Sequence, residues 1–162
     1  LEVNSYQFAF IHPAGNGWYL FEQVVPRISQ VAPYMHKGLE MGEEVGITAM
    51  AEAMPLCYMI GYERFVAELF YMPPETEVWD AAWKIEDYRT SRIVEGKAKA
   101  PWCKKCKFYP ICEGTWKEYF AYYGFDELKP IEGEYIYDPR ELIKEEPKKR
   151  IIIEYGQNNS IY

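Results

Sequence analysis

The sequence predicts an α/β protein: two βα units from the end of an incomplete barrel, followed by a small cysteine-rich α+β extension. Three observations carry this. Strand-like alternation and helix-like periodicity follow one another twice within the first ~70 residues. Beyond them the pattern gives way to loops and short elements. Three of the four cysteines then fall between positions 103 and 112.

The first strand is "VNSYQFAFIHP" (3–13), where Val3, Tyr6, Phe8 and Phe10 alternate with small or polar residues and Pro13 stops the run. "AGNG" (14–17) is a turn. A helical pattern over 19–44 places Val24, Ile28, Val31, Met35, Leu39 and Gly42 on one stripe, with kinks expected at Pro26 and Pro33. "VGITAMAEAMP" (45–55) is the second strand and "IGYERFVAELFY" (60–71) the second helix. Two βα units are too few to close a barrel, so residues 1–72 are expected to be its closing part. The opening "LEVNSYQF", without Met, predicts that the chain is a piece of something longer.

Residues 73–131 form the expected extension: a loop with a short strand pair, a short helix over 87–95, the cysteine segment, and a helix over 113–124. That last helix carries Trp116, Tyr119, Phe120 and Tyr123 on one side and is capped by Gly124. Residues 132–162 are a charged tail with "RIIIEY" as a late strand.

Composition narrows the function. A chain that is 49% hydrophobic and 17% aromatic is built to fold. A net charge of −7 argues against a nucleic-acid partner. No apolar run approaches the roughly 20 residues of a membrane span, so no membrane partner is expected and the cytoplasm is the expected location. Only eight Asn and Gln residues, against abundant Glu, Lys and Tyr, match a thermophile balance.

Cys103, Cys106 and Cys112 give C-x2-C-x5-C, a spacing that turns three thiolates toward one point. Cys57, at the end of the second strand, is the one cysteine left to complete a set of four. Disulfides are disfavoured in a reducing compartment. The spacing points to a metal and leaves two identities open, an iron–sulfur cluster or zinc. A fourth ligand 46 positions upstream favours the cluster, because a zinc ribbon pairs two C-x2-C knuckles and only one is present.

The stretch "CKKCKFYPICEGTWKEYFAYYGFDELKPI" resembles the C-terminal region of radical S-adenosylmethionine (radical SAM) enzymes with SPASM or twitch extensions, through Cys103, Cys106, Cys112, Gly114 and Trp116. "FAFIHPAGN" and "GITAMAEAMPLCYMIGYE" resemble that family's closing barrel strands. The resemblance covers about residues 1–131. It implies a twitch-like extension with one auxiliary [4Fe–4S] cluster bound by Cys57, Cys103, Cys106 and Cys112. Trp116 stands where a full SPASM pattern has a further cysteine, which argues against a second auxiliary cluster. The family's C-x3-C-x2-C motif, which holds the cluster that cleaves S-adenosylmethionine, is absent from this sequence. The resemblance therefore implies that S-adenosylmethionine and a second [4Fe–4S] cluster belong to the complete enzyme. A missing N-terminal barrel half or a partner subunit would supply them, and a small molecule or peptide would be the substrate. It also makes His12 and Asn16 candidates for cofactor or substrate contact. A zinc-stabilised interaction module and a non-catalytic subunit of a split radical enzyme are the alternatives.

Among other polar residues, His36 is expected at the surface, Glu52 near the strand end is expected to be solvated rather than an acid or base, and Glu63, Arg64 and Glu68 are expected on a solvated helix face.

Overall fold

The computed structural model describes residues 3–70, 76–79 and 84–142. Strand β1 (Ser5–Ala9) pairs in parallel with β2 (Thr48–Glu52), from Ser5 opposite Thr48 to Ala9 opposite Glu52. The chain between them runs through two single-turn helices, α1 (Asn16–Tyr19) and α2 (Phe21–Val24), into the 17-residue α3 (Ile28–Glu44). The expected helix thus breaks at Pro26, before which Val25 is extended because proline's ring disfavours helical backbone in the preceding residue. Pro33 lies inside α3 without ending it, since Ala32 and Met35 on either side are anchored in the core.

The buried stripe of α3 is Ile28, Ala32, Met35, Leu39 and Gly42, four of which the periodicity predicts. It packs on the face of the sheet that carries Ala49 and Ala51. Gly42 is the point of closest approach. A Cβ there would meet the Tyr6 hydroxyl and stand 2.8 Å from the Ala49 Cβ. Gly42→Ala should therefore lower the melting temperature. Overpacking costs roughly 1–3 kcal/mol, more than the ~1 kcal/mol that alanine gains in helix propensity. A rise in melting temperature by calorimetry would show that helix and sheet have room to separate.

The second βα unit departs from expectation. Of the expected helix over 60–71, the described residues 60–70 do not make a helix; they form two single 3₁₀ turns, Glu63–Phe65 and Ala67–Leu69, and Val66 makes a parallel bridge to Ala51 on the free edge of β2. Phe65, Val66 and Ala67 are all buried, so three consecutive residues face the core, which a one-sided helix cannot offer. The sheets are small and open, and no closed barrel forms among the described residues.

A short hairpin follows, β3 (Val78–Trp79) with β4 (Lys84–Ile85). Then α4 (Tyr88–Ser91), capped by the Asp87 side chain on the Thr90 N–H, runs into a π turn, Arg92–Gly96. Strands β5 (Lys97–Ala98) and β6 (Thr115–Trp116) pair antiparallel and close the base of the cysteine loop. The expected helix over 113–124 is shorter, α5 (Lys117–Tyr123), with Gly124 at positive φ ending it and Trp116 in the strand before it. Tyr119 and Phe120 are buried, whereas Tyr123 is half-buried. The "RIIIEY" strand lies outside the described residues.

Candidate metal centre

The cysteine loop is assembled from the base upward. Ladder β5–β6 sets residues 99 and 114 side by side. Pro101 opens a 3₁₀ turn, Pro101–Lys105, in which Cys103 sits. Its carbonyl accepts the Cys106 N–H at 2.9 Å, the tight turn that C-x2-C spacing calls for. Phe108, fully buried, anchors the next turn, and its carbonyl accepts the Cys112 N–H at 2.8 Å. Cys57 arrives separately, in the 3₁₀ turn Leu56–Tyr58 five residues past the end of β2.

All four cysteines are free thiols and line one cavity, together with Pro55, Lys99, Tyr109, Gly114, Leu128 and Lys129. Among the described residues no group of three His, Cys, Asp or Glu stands close enough to hold a single metal ion.

Backbone N–H groups are aimed at two of the four sulfurs. Leu56 and Gly114 donate to Cys112 Sγ at 3.5 and 3.4 Å, and Ile131 donates to Cys106 Sγ at 3.4 Å. Backbone hydrogen bonds from Lys129 and Ala100 favour the thiolates of Cys57 and Cys103. Lys99 adds positive charge that favours the thiolates of Cys103 and Cys112, while its Nζ donates to the Tyr109 carbonyl at 2.7 Å.

Without a metal these features lose to burial. Desolvation, then the neighbouring Cys112 charge, pushes the Cys57 thiol up to about 12, and burial likewise raises Cys103 and Cys112. A metal binds thiolate, so loading the site must release protons. The donor set fits a thiolate-bound metal group: four soft sulfurs from two chain segments, backbone amides on Cys106 and Cys112, and no competing carboxylate in the lining.

No family model, curated protein or solved structure matches the chain.

Sequence reasoning missed the loop over 125–131, because backbone N–H groups leave no mark in residue identity. That loop is fixed by Glu127, whose carboxylate accepts the Ser29 N–H at 3.3 Å, the Ser29 hydroxyl and the Tyr119 hydroxyl. The Glu127 carbonyl also takes the Tyr58 hydroxyl at 2.8 Å, tying the residue after Cys57 to the same loop.

Behind the loop lies a buried charge cluster that the sequence reading did not expect. Arg92 pairs with Glu113 (3.1 Å), Glu68 (2.7 Å) and Glu52, and Lys97 pairs with Glu113 (2.6 Å) and Glu68 (3.2 Å). Burial works against the Arg92 charge, but the Glu52 hydrogen bond and the Glu113 and Glu68 charges outweigh it and raise its pKa. Glu68 is therefore not on a solvated face: its side chain is 5% exposed. Glu52, held by Arg92 and Gln7, is only partly solvated. Glu63 and Arg64 are half-buried, with Arg64 paired to Glu43 at 2.8 Å.

His12 and Asn16 do not line the cysteine cavity. His12 is exposed and stacks on Trp116 at 3.9 Å, with Nε2 3.5 Å from Glu118, and Asn16 opens α1 in an exposed position. The Trp116 ring also has the Arg92 and Lys97 cations 5.3 and 5.1 Å from its centroid. His36 is half-buried, its Nε2 2.7 Å from the Tyr58 carbonyl and its ring stacked on Tyr62, so its expected surface position is corrected.

Proposed function

We propose that this chain is the auxiliary-cluster part of a radical SAM enzyme, holding one [4Fe–4S] cluster through Cys57, Cys103, Cys106 and Cys112. The observation that carries the reading is the meeting of four cysteines from two distant segments around one cavity, with backbone N–H groups donating to Cys106 and Cys112. A fourth cysteine 46 positions before a single C-x2-C pair suits a polynuclear cluster better than a zinc ribbon, which pairs two such knuckles. Such a cluster supplies one-electron redox chemistry. The four thiolates leave no iron open, so the chain serves electron transfer in preference to direct substrate coordination.

The rest of the enzyme, with S-adenosylmethionine, its own cluster and a small-molecule or peptide substrate, comes from a barrel half or a partner subunit. Support for a missing neighbour comes from β1. Ser5, Gln7 and Ala9 expose one sheet face, and no strand occupies the outer edge of β1 among the described residues. Parallel sheets are ordinarily covered on both faces. No helix among the described residues is long and apolar enough to cross a membrane. A reducing cytoplasm suits the four free thiols.

Anaerobic purification with iron, sulfide and zinc analysis tests the proposal. The expected protein is brown, absorbs at about 400 nm and carries about four iron and four sulfide per chain. Cys57→Ala should lower iron content about tenfold, as loss of a ligand costs at least what loss of an outer-shell partner does. A colourless protein with stoichiometric zinc would sink the cluster, and an unchanged cluster in Cys57→Ala would sink the four-ligand set.

A further inference from the structure

Strand β2 ends at Glu52, and the next residue, Ala53, has φ of 61°, in the left-handed region. Among the described residues no other residue except glycine has a positive φ. Alanine's Cβ crowds the following carbonyl there, which disfavours the conformation roughly tenfold. Such a backbone persists only where its surroundings over-determine it. At Ala53 the surroundings are specific. The residue is 1% exposed, and its N–H donates to Glu68 Oε1 at 2.6 Å. The parallel bridge from Ala51 to Val66 prepares this contact, because two positions further along both segments Glu68 comes beside Ala53. Arg92 and Lys97 donate to the same oxygen and hold it in place, whereas Oε2 has no donor among the described residues.

A left-handed residue turns the chain, and this turn falls between a parallel strand and the 3₁₀ turn that delivers Cys57. Met54, Pro55 and Leu56 follow it as buried residues, and the Leu56 N–H reaches Cys112 Sγ at 3.5 Å. Neither Ala53 nor Glu68 lines the cysteine cavity. We propose that Glu68 is the positioning residue of the cysteine site: its carboxylate oxygen holds Ala53 left-handed, and the turn so fixed carries Cys57 to the other three cysteines. The inference rests on the four-cysteine reading above and adds the residue that assembles the set. Pairing with Arg92 and Lys97 alone would not require a left-handed alanine. The two uses of Glu68 can be separated, since a neutral residue at 68 leaves Arg92 and Lys97 balanced by Glu52 and Glu113. Glu68→Gln and Glu68→Leu are both neutral and similar in size. They differ in whether an oxygen meets the Ala53 N–H. The glutamine oxygen takes the Oε1 position and its NH2 group the place of Oε2, where no donor stands against it.

The test reads Cys57 without any metal. The reduced, metal-free full chain is treated with iodoacetamide, and alkylation of each cysteine is followed by peptide mass spectrometry. A buried thiol reacts through local opening, so its rate reports how firmly its segment is held. Glu68→Leu should speed Cys57 alkylation about tenfold or more, with Cys106, on the other segment, within about twofold of the parent. Glu68→Gln should keep the Cys57 rate within about threefold of the parent. Glycine takes positive φ without strain, so adding Ala53→Gly to Glu68→Leu should bring the Cys57 rate back by about threefold or more. Uptake of iron and sulfide on anaerobic reconstitution should follow the same order of variants. Equal Cys57 rates in Glu68→Gln and Glu68→Leu overturn the proposal, because Glu68 would then act through its charge alone. So does a Glu68→Leu protein in which all four cysteines speed up together, the mark of general loosening. If Glu68→Leu does not fold, Glu68→Asp takes its place: it keeps the charge and falls one methylene short of Ala53, and an unchanged Cys57 rate in it overturns the proposal. A parent protein that shields Cys57 in this way but takes up no iron and sulfide overturns the cluster reading and leaves the positioning role standing.

Discussion

Arg92→Met should destabilise the protein by about 3–5 kcal/mol, the cost of removing one partner from a buried ion network. The guanidinium is 3% exposed and reaches three carboxylates. Once it is gone, Lys97 alone faces Glu68 and Glu113, one negative charge stays buried without compensation, and the partly solvated Glu52 loses its cation. The three acids come from different parts of the fold: the end of β2, a 3₁₀ turn and the residue after Cys112. The network is thus the joint between the sheet and the cysteine loop, and breaking it should loosen Cys112 as well. Arg92→Lys keeps the charge and loses the fork of donors, so it should fall between parent and Arg92→Met. Adding Glu68→Gln to Arg92→Met should recover part of the loss, since the two sites share a partner. Urea unfolding measures all four proteins. A loss below about 1 kcal/mol for Arg92→Met would mean that water reaches the cluster and screens it.

The parts of this architecture that the sequence makes legible are those set by local periodicity or residue chemistry. The α3 stripe can be read because Ile28, Met35, Leu39 and Gly42 recur on one helical face, and burial follows that face. The meeting of Cys57 with the other three cysteines can be read by counting, since thiols are few and their ligand chemistry is specific. Pairing across the chain is not legible. Glu68 falls on the polar side of a supposed helix, yet its partner Arg92 lies 24 positions away, and nothing near Glu68 signals it. The helix expected over 60–71 fails for the same reason: Val66 is claimed by a bridge to Ala51, a tertiary contact that overrides local pattern. Trp116, read as a helix residue in the place of a cysteine, is a strand residue clasped between His12 and two cations.

Gly114→Ala should be more damaging than its single added methyl suggests, and it links the fold to the proposed metal site. Gly114 has φ of 85°, a region that costs an L-residue roughly 1–2 kcal/mol. A Cβ built there would run into the Ala98 carbonyl, standing 2.8 Å from its carbon and closer still to its oxygen. Both groups are backbone, so no side chain can swing aside. Relief requires β5 and β6 to part, and the ladder that closes the cysteine loop opens with them. Gly114 also donates its N–H to Cys112, which would move with the shifted peptide. Gly46→Ala separates strain from collision, because Gly46 has φ of 72° and open space around its missing Cβ. Thermal unfolding should show a loss of about 1 kcal/mol for Gly46→Ala and at least about twice that for Gly114→Ala. Only the second should also lose iron on anaerobic reconstitution. Equal losses in the two variants would mean that the close approach of Gly114 to Ala98 does not hold the cysteine loop in place.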